Sequence, residues 1–186
     1  MNVYVALLHY PVYNRHGRVV CSAITNLDIH DIARAARTYG VSSFYVVTPL
    51  EDQQRLLERL LSHWREGYGG RTNPDRKAAL ELVTVVASLP DVVARVTCEV
   101  GTAPELLGTG AAATGPTLSY QEARERIHRG RPTVILFGTG WGLTREVLRL
   151  AAYLLPPIRG ATSYNHLSVR GAAAIILDRL LGPNPY

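Results

Sequence analysis

Six short apolar runs, alternating with stretches of helical periodicity, constrain this chain more than any other feature. The runs lie near Val3–Leu8, Ser43–Val47, Leu82–Ala87, Glu105–Leu107, Thr133–Phe137 and Tyr153–Leu155. Between them, Asp28–Tyr39 carries Ile29, Ile32, Ala33 and Ala36 on one face, and Asp52–Arg65 carries Leu56, Leu57, Leu60, Leu61 and Trp64 at helical spacing. Further helices are predicted over Asp91–Glu99, over Tyr120–Arg129 behind the capping box Ser119-Tyr-Gln-Glu122, and over Ser168–Leu181. This alternation predicts an α/β fold, a mainly parallel sheet flanked by helices on both faces.

Three segments do not fit the alternation. His9–Thr25 reads as a long loop carrying Tyr10, Pro11, Tyr13, Asn14, Arg15, His16, Gly17 and Arg18. Gly67–Pro74 is rich in glycine and arginine, and Gly108–Pro116 is a run of small residues. Long loops in a compact domain are usually functional or disordered. The first mixes aromatic, basic and amide side chains as a nucleic-acid surface does, which makes Tyr13, Asn14, Arg15 and Arg18 candidate substrate-binding residues.

With 186 residues the chain is most economically one domain over 1–186, long enough to bury roughly 70% of its unfolded surface. Its formal charge of +5 rests on 20 basic residues, all but Lys77 arginine. Arginine forks bind phosphate bidentately and stack on bases, so the bias fits an RNA partner; a GC-rich genome produces the same bias. Cys21 and Cys98 lie far apart without metal-ligand spacing, so no metal site or disulfide framework is expected and both read as buried small hydrophobes. The opening Met1-Asn-Val-Tyr-Val-Ala-Leu-Leu lacks a basic n-region and cleavage site, and no apolar run approaches the ~20 residues of a membrane span. A cytoplasmic protein with no membrane partner is the expectation.

Three strings carry the chemistry. FGTGWGL, Phe137 to Leu143, follows an apolar strand and precedes the helical stretch Thr144–Arg149, so its glycines are expected to expose backbone amides beyond the carboxyl end of a strand, where ligands of open α/β sheets gather. It is not the dinucleotide fingerprint, which requires glycine where Leu143 stands, and a tight turn without a ligand explains the glycines equally. Trp141 among them suits a pocket wall better than turn chemistry. In YNHLSVRGAAA, Tyr164 to Ala174, cap-type residues precede a helix whose Gly171-Ala-Ala-Ala174 face is slim enough to press against backbone. NLDIHDIARAARTYGV, Asn26 to Val41, sets Asp28, His30, Asp31, Arg34 and Arg37 among apolar positions. There Arg34 has Asp31 as an i,i+3 partner, and Asp28 suits a helix start. Asp28–His30 and His30–Asp31 point to different helix faces, so no dyad is implied. No Ser/His/Asp order, zinc spacing or P-loop is present.

Together the three strings resemble the motifs of the SPOUT superfamily of S-adenosylmethionine-dependent RNA methyltransferases. Asp28 to Arg34 resembles the first motif, with Asp for the usual Asn and His30 for the usual Gly. Val134 to Leu143 matches the strand and G-x-G-x-G-L turn of the second, and Asn165-His-Leu-Ser-Val-Arg-Gly-Ala-Ala-Ala174 is similar to the third. More closely, HYPVYN, TNLDIHDIARAARTYGV, FGTGWGL and SYNHLSVR resemble a small bacterial family of RNA methyltransferases related to the tRNA guanine methyltransferase, found alone or fused to it.

The resemblance implies a C-terminal deep trefoil knot, an exception to the rule against knots, holding S-adenosyl-L-methionine between three loops. By position the cofactor set is Gly108 and Thr109, then Gly138, Thr139, Gly140, Trp141 and Gly142, then Ile158, Tyr164, Asn165, His166, Leu167 and Ser168. It implies a homodimer acting on tRNA or rRNA, in which Arg34 serves an active site across the interface. Arg34 is the binding or orienting residue, and Asp28 or His30 is the acid/base candidate if a ring nitrogen is the target; for a ribose hydroxyl, arginine alone is invoked. A non-catalytic RNA-binding or regulatory dimer is the alternative. A nucleotide-binding oxidoreductase is suggested by the glycine turn alone.

Overall fold

The computed structural model describes residues 2–111 and 115–183. In chain order its elements are β1 (Val3–Leu8), β2 (Val12–Tyr13), β3 (Val19–Val20), α1 (Asn26–Thr38), β4 (Ser43–Val47), α2 (Glu51–Arg65), α3 (Tyr68–Thr72), α4 (Pro74–Leu80), β5 (Val83–Val86), α5 (Leu89–Val100), β6 (Glu105–Gly108), α6 (Tyr120–His128), β7 (Thr133–Gly138), α7 (Arg145–Leu150), β8 (Tyr153–Leu154) and α8 (Val169–Leu181).

Six strands form one sheet in the order β5-β4-β1-β7-β6-β8, and every neighbouring pair is parallel. The central strand explains its own apolar sequence. Val3, Val5 and Leu7 face a core built with α1, α2, α4, α6 and α8, while Tyr4, Ala6 and Leu8 face a second core built with α5 and α7. A strand buried on both sides reads as continuous hydrophobicity, because neither pleat face meets water.

Helix starts follow their caps. Thr25, Ser88, Ser119, Thr144 and Ser168 each accept a backbone N–H of the helix they open. The α5 helix begins earlier than predicted, because Ser88 and Asp91 form a capping box around Pro90 in the first turn.

Two of the expected loops are ordered. Within His9–Thr25, β2 and β3 pair as a hairpin, closed by an Asn14 Oδ1 that accepts the amides of His16 at 2.9 Å and Arg18 at 3.0 Å. Within Gly67–Pro74, α3 packs so close to α2 that a Cβ on Gly70 would sit 2.2 Å from the Trp64 carbonyl oxygen. The glycines that argued against structure there are what permit the contact. The α2 stripe is narrower than predicted: Leu57 and Leu61 are buried, but Leu56 is exposed. Cys98 is exposed and Cys21 half-buried, which corrects the expectation that both are buried. Among the described residues no helix is long and apolar enough to cross a membrane.

Candidate functional site

The turn after β7 is shaped by its glycines and locked by the hairpin. A Cβ on Gly138 would lie 2.7 Å from the Leu143 nitrogen, and one on Gly140, whose φ is +60°, would lie 2.8 Å from the Tyr13 carbonyl oxygen. Tyr13 N donates to Gly142 O at 3.0 Å, Trp141 N donates to Tyr13 O at 2.9 Å, and Arg145 N donates to the Tyr13 hydroxyl at 3.3 Å. Gly142 N and Thr139 N are also engaged, by Thr139 O and Leu8 O. The amides of Thr139, Trp141 and Gly142 are therefore satisfied internally. The expected cradle of exposed amides is replaced by a turn clasped by β2.

A buried polar chain runs beneath this clasp. Thr139 Oγ1 donates to Leu8 O at 3.2 Å and lies 2.5 Å from Ser22 Oγ, which is 3.0 Å from His9 Nδ1. His9 is fully buried, and its Nε2 has no partner among the described residues. Burial pushes its pKa down to about 4, against the opposing pull of the Asp28 carboxylate and the Ala23 and Ser22 backbone. Nothing local in the sequence marks His9 and Ser22 as partners of Thr139.

Beyond the carboxyl ends of β7, β6 and β8 opens a cavity of about 1040 Å³. Its walls are Thr109–Ala111, Gly138–Leu143, Pro156–Ile158 and Asn165–Arg170, with Ala172 and Ile176 from the slim face of α8. Asn165 Nδ2 donates to Ala111 O at 3.0 Å and ties the first wall to the last. Most of the predicted cofactor set lines this space. Gly108 and Tyr164 do not: Gly108 sits where a Cβ would lie 2.6 Å from Leu154 Cδ2, and Tyr164 is exposed with its ring 6.4 Å from that of His166. Part of the Gly108–Pro116 segment, 112–114, lies outside the described residues.

Asp28 enters the cavity from α1. Thr25 Oγ1 donates to its Oδ2 at 2.5 Å, and Arg170 Nη1 stands 3.2 Å from its Oδ1. Arg170 Nε also meets Asp31 Oδ2 at 3.4 Å, so Asp31 pairs across to α8 and not with Arg34. Arg170 was absent from the predicted site. Its only signal is its place after Ser168-Val169, at the start of the helix that the third motif opens. Arg34 is exposed, outside the cavity lining, and has no ion pair among the described residues. His30 also lies outside the lining. Its ring packs edge-on to Trp64 at 5.2 Å, beneath an Arg76 guanidinium 4.9 Å from the Trp64 ring. Burial and Arg76 push the His30 pKa down. Of the substrate candidates, Tyr13 lines the cavity, Asn14 closes the hairpin turn, and Arg15 and Arg18 are exposed at its tip.

The cavity fits S-adenosylmethionine in kind. At about 1040 Å³ it lies just above the roughly 300–1,000 Å³ range of small-ligand sites, and it joins apolar walls to a few polar groups. Leu148, Leu154, Ile158 and Ile176 offer apolar cover, while the three loops offer backbone groups and Asp28 a carboxylate.

The sequence pattern of a SAM-dependent RNA methyltransferase family matches residues 2–182. A tRNA (guanine-N(1)-)-methyltransferase of Oleidesulfovibrio alaskensis is 46% identical over 97% of this chain, which spans 42% of that relative's length. An uncharacterized protein of Aquifex aeolicus is 40% identical, with 98% of this chain matched to 90% of it. Among solved structures, the SpoU methyltransferase AviRb of Streptomyces viridochromogenes in complex with the cofactor AdoMet superposes with a TM-score of 0.58 at 18% identity, over 96% of this chain and 56% of that one. The chain belongs to this family of SAM-dependent RNA methyltransferases.

Proposed function

We propose that the chain is one methyltransferase domain over 1–186, cytoplasmic, that methylates tRNA as a homodimer, with its cofactor in a trefoil knot formed by the C-terminal loops. The single observation that carries this reading is the cavity in which the loops after β6, β7 and β8 converge on Asp28 and Arg170. The knot is supported by the path of the last loop. β8 lies outside β6 in the sheet, and the chain then returns past the loop after β6, where Asn165 bonds Ala111, before α8 packs on α1 and α6.

The cofactor, when bound, supplies a methyl group already activated on sulfur. The chain's own task is to bind, to align and to move a proton. Gly138, Thr139, Gly140, Gly142, Ile158 and Asn165–Ser168 would hold the cofactor, and Asp28, rather than His30, faces the space where a ring nitrogen would be deprotonated. Arg34, exposed and unpaired among the described residues, is free to serve a partner subunit. The tRNA assignment follows the activity named for the longer relatives.

Calorimetry with S-adenosylmethionine and S-adenosylhomocysteine tests the core of the reading: micromolar binding of both is expected, and no binding at millimolar ligand overturns it. One observation favours the second reading, a non-catalytic RNA-binding dimer: both Asp28 oxygens are already engaged, by Thr25 and Arg170. Mass spectrometry of nucleosides from tRNA with and without the gene separates the two, since a pure binder removes no modification when deleted.

A further inference from the structure

Trp141, Arg145 and Arg149 share the rim of the cavity. The Trp141 backbone is held by its bond to Tyr13, yet the residue is 60% exposed and its ring has no ring or cation partner among the described residues. Arg145 and Arg149 stand one turn apart on α7, exposed and without a salt bridge among the described residues; Glu146 is the acidic group between them. The apolar cover inside the cavity comes from other side chains, Leu148, Leu154, Ile158 and Ile176, so an indole held in solvent is not needed to enclose a small ligand. An exposed aromatic beside two exposed guanidinium groups is instead the layout that takes an unstacked base and its flanking phosphates. The clasp ties the glycine turn to the hairpin that carries Arg15 and Arg18 at its tip.

We propose that Trp141 is a stacking platform for a base of the RNA substrate, with Arg145 and Arg149 holding the phosphates beside it. This moves Trp141 from the cofactor set to the substrate, and it rests on the RNA methyltransferase reading above.

The test uses the full chain, a tRNA transcript and S-adenosylhomocysteine. RNA is expected to quench tryptophan fluorescence in the wild type, and Trp141→Phe is expected to remove that quench while keeping most of the affinity. Trp141→Ala is expected to weaken RNA binding by about 10- to 100-fold and to change S-adenosylhomocysteine affinity by no more than about twofold. Arg145→Ala and Arg149→Ala are each expected to reduce the slope of log affinity against log salt by about 1, which Trp141→Ala leaves unchanged. Unchanged RNA affinity in Trp141→Ala, or an equal loss for RNA and S-adenosylhomocysteine, overturns the proposal. Failure of the wild type to bind S-adenosylhomocysteine overturns the cofactor reading instead, and the RNA titrations still decide the role of Trp141.

Discussion

Arg170 spans the gap between α8 and α1, with Nη1 3.2 Å from Asp28 Oδ1 and Nε 3.4 Å from Asp31 Oδ2. The Asp28 side chain is only 12% exposed. Removing its partner therefore leaves a largely buried carboxylate with Thr25 alone. Arg170→Ala is expected to destabilise the fold by about 1–3 kcal/mol in urea titration. Asp28→Asn, which keeps a hydrogen-bonding group of the same shape, is expected to lose less. Equal stability of Arg170→Ala and wild type would show the pair to be a surface contact.

Two glycines of one turn separate backbone strain from steric contact. Gly142 has φ +97° and open space around an added Cβ, so Gly142→Ala is expected to cost about 1 kcal/mol through conformation alone. Gly140 adds a Cβ that would meet the Tyr13 carbonyl at 2.8 Å, and Gly140→Ala is expected to cost about 2–4 kcal/mol as the hairpin is displaced. Thermal melts of the two variants, with cofactor titrations, check the order.

His9 gives the stability a dependence on pH. The unfolded chain takes up a proton at His9 below pH 6.5, the folded chain only below about 4. The contribution is fully present above pH 6.5 and is lost as pH falls to 4, a change of about 3 kcal/mol for a shift of this size. Unfolding free energies of wild type should fall across that window, and those of His9→Gln should fall less. Parallel curves would contradict the buried neutral state.

If Arg34 completes the partner's site, inactive subunits should rescue one another. Arg34→Ala is expected to bind S-adenosylhomocysteine normally and to show no methyl transfer. An equal mixture with a Gly140→Ala subunit, after exchange, is expected to recover about a quarter of wild-type activity, because half the dimers then hold one complete site. No recovery despite demonstrated exchange would place Arg34 in its own subunit's chemistry.

Strand runs were legible because β1, β4 and β7 are buried on two faces and carry unbroken hydrophobicity, and helix starts were legible through Ser119 and Ser168, whereas the Ser88 cap of α5 was not. The hairpin was not, since β2 and β3 are two residues each, too short for a period of two to register. Nor was α3, whose Gly69 and Gly70 have poor helix propensity and are ordered by packing on α2. In the site, the loops after β7 and β8 were marked by FGTGWGL and SYNHLSVR, and the loop after β6 by its position alone. Arg170 was missed because its partner Asp28 is 142 residues away in sequence, and no local pattern reports such a contact.

The clasp of Tyr13 on Trp141, Gly142 and Arg145 makes the hairpin and the glycine turn one mechanical unit. A ligand that docks on the turn therefore meets a hairpin already held in place, and an RNA that docks on Arg15 and Arg18 bears on the turn through the same bonds. If binding at either end tightens the shared unit, cofactor and RNA strengthen each other's binding by the same factor.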